Sequence, residues 1–390
     1  MASDFSIVIN GIYEENGFKV KAADLRVGSS VRLPTLPSVN IKKIKSKTVD
    51  AIKEKVLIEN NAVLTLKHLR EMDSNQIEQS KFIKDKLKNY ADNPSFLSIQ
   101  LLIEDSDKIN DLDIDYLIAL LNSPYNSLLV PPLIYHYKKV SFTREVDGKV
   151  IRSERDQPTA PADLPTYFEF LNKFITKAKS QYGIKKTVMS VPTNISHSGV
   201  STLLDNYKEL DTPIALIDLH GKTPKSLGPQ INSLTKKSGK DNQNTLNDKH
   251  GENFVLYAFD AMPYTSHQPI APSQAALYSL LNINLFGPRH TVRVTDRNKD
   301  YKPRLFTGKE YSYANDKYAG YKEVVRNCTD WSQSIFEDSK LRVDDYTAYS
   351  VINAVKEIRG LAKNNEIEEK IKNKSSFYKA VDFLKKEFRV

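Results

Sequence analysis

Eight short apolar, β-forming runs recur along the chain with helical stretches between them, and this alternation constrains the fold more than any other feature. The runs are Leu33 to Val39, Ala62 to Leu66, Phe96 to Ile103 and Leu128 to Tyr135, then Thr187 to Pro192, Pro213 to Leu219, Phe254 to Phe259 and Ile283 to Phe286. Uninterrupted apolar runs suit parallel strands buried on both faces. Apolar residues at helical spacing fill the gaps, as in Ile77 to Tyr90, Tyr167 to Tyr182, Val200 to Leu210 and Gln274 to Leu281. Strand–helix repetition predicts a parallel sheet of the α/β class, and eight units predict closure into a (β/α)8 TIM-type barrel.

Other segments modify this plan. Phe5 to Asn10 and Gly17 to Val20 read as a hairpin-like N-terminal cap. Residues 138–165 are polar, carry the hairpin turn signal Asp147-Gly148 and continue into a Pro-rich tract, so they are expected as an inserted loop. Residues 236–252 are rich in Gly, Asn, Asp and Lys without periodicity and are expected as a second inserted loop. From Asp344 onward Tyr346, Val351, Val355, Ile358 and Leu361 share one helical face. The expected organisation is a barrel with insertions over residues 1–343 and a helical extension over 344–390 packed on it.

Composition limits the function classes. No apolar run reaches membrane-spanning length and the N-terminus lacks a basic-then-apolar signal layout, so the sequence predicts a cytoplasmic chain with no membrane contact. The single cysteine, Cys328, excludes an internal disulfide framework and a Cys-rich zinc site. The formal net charge of +9 favours polyanionic partners through counterion release, although a Lys-rich surface accounts for it equally well. Neither a G-x-G-x-x-G loop, a Walker loop nor a G-x-S-x-G elbow is present, and no organic cofactor is expected.

Working groups of a barrel sit where strands end. His68, His136, His197, His220 and His290 each follow a run, and His267 lies shortly after another. Asp218 ends the sixth run in Ile-Asp-Leu-His-Gly and Asp260 ends the seventh in Phe-Asp-Ala-Met-Pro. An acid at the lip of an apolar strand is partly desolvated, which suits a base or a nucleophile. The plain alternatives are a histidine satisfying a nearby carbonyl, and an aspartate capping a loop or pairing with an arginine. The first run holds no histidine, so no close-spaced metal-ligand set is expected, although a metal-dependent barrel hydrolase would use such a histidine rim.

Several segments resemble the tRNA-guanine transglycosylase superfamily, whose members exchange guanine in nucleic acid for a 7-deazaguanine. Phe18 to Gly28 followed by Leu33 to Asn40 is similar to the start of that family's first barrel strand, and Ala62 to Leu69 to its second strand. Ser273 to Phe286 resembles the helix and strand before the family's nucleophile, and Leu305 to Gly308 with Asp345 to Gly360 resembles its closing strand and helix. The departures are specific. The family's Asp-Ser-Gly-Gly-Phe-Gln motif is matched by Ser95-Phe-Leu-Ser-Ile-Gln100, which keeps the Gln and loses the acid. The nucleophile's position falls on Gly287, and the three cysteines of the zinc set are reduced to Cys328.

The resemblance implies a divergent branch that inserts deazaguanines, with DNA a better substrate than tRNA and the 7-deazaguanine base as second substrate. Asp260 is then expected as nucleophile and Asp218 as acid/base, the two roles being exchangeable. Gln100, His220, Arg289, His290 and Asn40 are expected to bind substrate, with no metal. A non-catalytic barrel that binds nucleic acid or an active partner subunit is the competing expectation, and a required partner protein or a homodimer is left open.

Overall fold

The computed structural model describes residues 5–15, 18–27, 31–34, 57–86, 94–124, 126–146, 149–221, 228–235, 245–261, 270–272, 274–287, 305–307, 312–314 and 354–373, with a few single positions beyond. Two parallel sheets form the body. The first joins β4 (Ile58–Thr65), β5 (Ser95–Ile103) and β6 (Leu133–Val146). The second joins β8 (Lys186–Val191), β9 (Asp211–Asp218), β10 (Val255–Phe259) and β12 (Ile283–Phe286). The stretch before β6 links them: Val188 N and Thr187 Oγ1 both donate to Leu129 O at 2.8 Å, and Ser190 Oγ donates to Pro131 O at 2.7 Å.

Period-two alternation divides each strand between two apolar layers. Phe96, Leu102, Leu133, Tyr135, Val188, Ile214, Leu216, Tyr257, Phe259 and Leu285 belong to one buried cluster shared by both sheets, which marks the inner face. The alternate positions, such as Ile99, Leu101, Met189, Ile217 and Leu256, pack outward against helices. These include α1 (Leu66–Asp73), α2 (Gln76–Lys86), α3 (Asp111–Leu121), α4 (Leu164–Ser180), α5 (His197–Asn206), α6 (Gly228–Thr235), α7 (Leu246–His250) and α8 (Gln274–Leu280). Local chemistry sets their ends. Asn110 and Asp113 form a capping box that starts α3, and Asp163 caps α4 by accepting from Thr166 N. Arg70 on α1 clasps Asp113 with two 2.9 Å bonds, tying α1 to α3.

The N-terminal cap is an antiparallel sheet of β1 (Phe5–Glu15), β2 (Phe18–Val27) and β3 (Val31–Pro34). It departs from the sequence expectation at one point. Leu33 and Pro34, taken as the start of the first barrel strand, pair antiparallel with Leu25 and Asp24 instead. Short β-prone sequence does not encode pairing direction, and β2 is the nearer partner. Residues 35–39 lie outside the described residues. Seven of the eight runs therefore supply the parallel strands.

The cap covers the N-terminal ends of those strands. Phe5, Ala23, Leu25 and Val27 enter the inner cluster, Lys186 Nζ donates to Phe5 O at 2.8 Å, and Asn282 N donates to Lys19 O at 3.0 Å. Lys21 is the anchor. Its Nζ donates to Phe254 O at 3.1 Å, lies 3.2 Å from the Phe254 ring centroid and stands 3.6 Å from Glu252. Burial pushes its ammonium down from 10.5 to about 7 despite the neighbouring Glu252. A lysine whose folded value is depressed costs stability while charged. The unfolded chain then binds the extra proton between about pH 7 and 10.5, so stability rises with pH across that window. Lys21→Met removes this contribution. In urea titrations at pH 7 and pH 9.5, the wild type is expected to gain about 3 kcal/mol relative to the variant on going to the higher pH. Parallel pH dependence in the two proteins would contradict the assignment.

Four further features depart from or extend the expectations. Residues 138–165 are not a loop: β6 runs on to Val146 and pairs antiparallel with β7 (Lys149–Pro161), with Asp147-Gly148 falling between the two strands. Within 236–252 the described part holds α7, capped by Thr245 and Asp248. Beyond the parallel strands, β11 (Ile270–Pro272), β13 (Leu305–Thr307) and β14 (Ser312–Ala314) form a small antiparallel sheet. Near the C-terminus, α9 (residues 354–363) is followed by α10 (Ile367–Lys372). Val355, Ile358 and Leu361 of α9 are buried as the pattern requires, while Tyr346 and Val351 lie outside the described residues. α9 docks on the cap through Arg359, which pairs with the buried Asp24, and at Gly11, where a Cβ would sit 2.5 Å from Ala362 O. No helix among the described residues is long and apolar enough to cross a membrane.

Candidate active site at the C-terminal strand ends

Asp218 is the last residue of β9 and, by alternation after Ile214 and Leu216, points inward. It pairs in register with Phe259, so Asp260 is the next residue on the neighbouring strand at the same end of the sheet. Both aspartates are fully buried. The two chains then turn in the left-handed region, with φ of 45° at His220, 66° at Gly221 and 49° at Asp260. That conformation costs a residue other than glycine about 1–2 kcal/mol and persists only where the surroundings enforce it. Two backbone bonds do so here: Leu219 N donates to Phe259 O at 3.0 Å and Gly221 N donates to Asp260 O at 2.9 Å. The two acid-bearing turns are thus fastened to each other.

The carboxylate of Asp218 is gripped on both oxygens. His220 N donates to Oδ1 at 2.8 Å, and Tyr135 Oη donates to Oδ2. Tyr135 comes from β6 across the inner face, and β8 between them presents the small Ser190. The His220 ring stacks on Tyr135 with centroids 5.2 Å apart and planes 21° apart. Asp218, Tyr135 and His220 therefore form one connected group.

A second acid–phenol pair was not singled out from the sequence. Glu59, near the start of β4, is buried and accepts from Tyr257 Oη of β10. Its seat depends on Gly287: a Cβ there would collide with the Glu59 carboxylate and lie 2.9 Å from Tyr257 Oη. Gly287 N donates to Ala258 O at 2.8 Å, which holds this point beside the end of β10. Below the polar level, Phe96, Val130, Val188, Leu216, Tyr257 and Leu285 line a small apolar void. An apolar floor lowers the local dielectric and strengthens charge interactions beside it.

The other expected residues divide. Gln100 is buried on the inner side of β5, in register with Leu133, two residues short of Tyr135. Asn40, Arg289 and His290 lie outside the described residues. Of the expected histidine rim, the His197 side chain and His267, like His290, lie outside the described residues, and two of the remaining members stand elsewhere. His68 sits on α1 with its side chain 47% exposed beside Glu71, and His136 faces away from the inner cluster, with Nδ1 2.9 Å from Asp105. His250 lies at the opposite end of the strands, 3.6 Å from Asp211, and burial lowers its basicity. Among the histidines whose side chains are described, His220 is the one that joins the acids. No three His, Cys, Asp or Glu side chains converge as metal ligands would among the described residues.

No family model and no curated protein matches the chain.

Proposed function

We propose that this chain completes a (β/α)8 barrel and exchanges guanine in DNA for a 7-deazaguanine, as a divergent relative of the guanine transglycosylases. The observation that carries the reading is the placement of Asp218 and Asp260 on adjacent strand ends, opposite the ends on which the N-terminal cap sits. The shared inner cluster of both sheets supports closure of the ring. The positive balance of the chain suits a polyanionic substrate.

A target base inside a duplex is out of reach, so the nucleotide must be turned out of the stack into the mouth. Asp260 is assigned the attack: a carboxylate oxygen bonds to the anomeric carbon while the bond to guanine N9 breaks and its electron pair leaves with the base. Asp218 is assigned the proton transfer that neutralises the departing guanine. It enters the step protonated and leaves it as a carboxylate, and the Tyr135 and His220 donors, one on each oxygen, fix its position and stabilise that carboxylate. The incoming 7-deazaguanine gives its N9 proton to the Asp218 carboxylate left by the first step, its N9 bonds to the same carbon, and the ester bond to Asp260 breaks to return the Asp260 carboxylate. Gln100 offers an amide to the base edge, and the Tyr135–His220 stack offers a flat aromatic surface.

The test is to incubate the purified full chain with labelled 7-deazaguanine and either duplex DNA or tRNA, then digest and analyse nucleosides by mass spectrometry. Label in DNA together with released guanine is the expected result. Label in tRNA alone would overturn the DNA assignment. Neither label nor guanine release from either substrate would leave a non-catalytic binding barrel as the better description.

A further inference from the structure

The β6–β7 hairpin leaves one long strand edge open. β6 pairs with β5 from Leu133 to His136 and then continues to Val146 with β7, and β7 has no ladder partner other than β6 among the described residues. The two-residue connection closes on a hydrogen-bonded pair, Val146 with Lys149, and bonded and non-bonded pairs alternate from there. Ser153, Arg155 and Gln157 therefore direct their backbone groups to β6, whereas Val150, Arg152, Glu154 and Asp156 aim theirs away from it. Pro158 falls on the same outward parity, where a paired strand tolerates a residue without an N–H.

Open edges invite indiscriminate pairing, and charged residues normally blunt them. Here the order of the charges leaves one pairing favourable. Val150, Arg152 and Glu154 are exposed, and Asp156 is half-buried. An antiparallel copy of β7 related by a two-fold axis at Ser153 sets Arg152 of each copy opposite Glu154 of the other, and Val150 of each opposite Asp156 of the other. All four pairs join outward residues, so each exchanges two backbone bonds. Other registers fail. An axis at Arg152 or at Glu154 sets that residue against its own copy, and one at Arg155 sets Glu154 against Asp156. An axis at Ile151 runs the copy past the turn and shortens the ladder, and an axis between two residues sets outward groups against inward ones.

We infer that two copies of this chain associate through the outer edges of their β7 strands, making a four-stranded antiparallel sheet about a two-fold axis at Ser153. The occupant of the edge is a second copy because Arg152-Ser153-Glu154 is complementary in charge to itself read in reverse, and its outward backbone groups fall in the phase that this register needs. Like charges directly opposite destabilise a strand pair and unlike charges stabilise it, so the same residues that reject other registers select this one. The association is independent of base exchange, since none of these edge residues belongs to the candidate site.

The test is sedimentation equilibrium of the full chain over a concentration series, with circular dichroism to confirm that each variant folds. The wild type is expected to show a concentration-dependent monomer–dimer equilibrium. Arg152→Glu and Glu154→Arg are each expected to weaken it by about tenfold or more, because both charge pairs become repulsive. Arg152→Glu/Glu154→Arg is expected to return to within about threefold of the wild type, since exchanging the two charges preserves the complementarity. An equal mixture of the two single variants should also associate, every cross pair then being opposite in charge. Register is read by oxidative cross-linking in a Cys328→Ser background. Ser153→Cys meets its own copy at a non-hydrogen-bonded pair with Cα atoms about 4.5 Å apart, within disulfide reach, and is expected to link. Asp156→Cys, about 20 Å from its copy, is expected not to. A chain that stays monomeric up to about 0.2 mM would overturn the inference. So would a dimer indifferent to the single reversals, a double reversal as weak as either single one, or a dimer in which Ser153→Cys fails to link.

Discussion

Asp218→Asn is expected to lower guanine release and 7-deazaguanine incorporation by about 10³-fold or more, with thermal stability nearly unchanged. The amide has the same shape, and its carbonyl oxygen still accepts from a donor, so the Tyr135 and His220 contacts survive in part. What disappears is the capacity to carry a proton to the leaving base and back, a step worth 10²- to 10⁴-fold in general. Asp260→Asn is expected to be at least as damaging, because an amide cannot form the glycosyl ester. Single-turnover release of labelled guanine measures both, and melting by circular dichroism provides the control. Rates within tenfold of wild type in either variant would remove that residue from the chemistry. A large loss accompanied by unfolding would point to the buried contacts of Asp218 rather than to its proton.

The second large effect is expected at Gly287, where a single methyl group is enough. Gly287→Ala puts a carbon where the Glu59 carboxylate now lies and crowds Tyr257 Oη at 2.9 Å. Both neighbours are buried, so relief requires moving side chains in a packed interior, at a cost of about 2–3 kcal/mol. Truncating Glu59 removes the obstacle. Glu59→Ala/Gly287→Ala is therefore expected to be more stable than the sum of the single changes by about 1–2 kcal/mol, as residues in direct contact allow. Urea unfolding of the four proteins in the cycle gives the coupling. Additive changes would mean that Glu59 and Gly287 do not compete for the same space.

Much of this arrangement could be read from patterns. The seven runs that became parallel strands were long enough, or apolar enough, to declare themselves, and Asp218 and Asp260 followed from where two of them stop. The Asp147-Gly148 turn signal was visible too, but its polar flanks disguised two long strands as a loop. Three things stayed hidden for physical reasons. The direction in which Leu33 and Pro34 pair depends on which strand is close in space, which local propensity does not record. Glu59 escaped because the second run was started at Ala62; the strand begins at Ile58, and its polar inner face (Glu59, Asn61) breaks the apolar pattern. A charged residue amid Leu57, Ile58 and Ala62 was the available signal. The histidines misled because a position just after a strand fixes height but not direction. His68 is already on α1, and His136 alternates to the outer side of Tyr135.

The antiparallel cap also has a kinetic implication. Phe5, Leu25 and the Lys21 anchor stopper the N-terminal strand ends. Under the proposed exchange, a spent base and its replacement would then share the opposite end, the first departing before the second arrives. On that reading turnover is a queue, and rates measured against both bases should fall on parallel lines rather than converging ones.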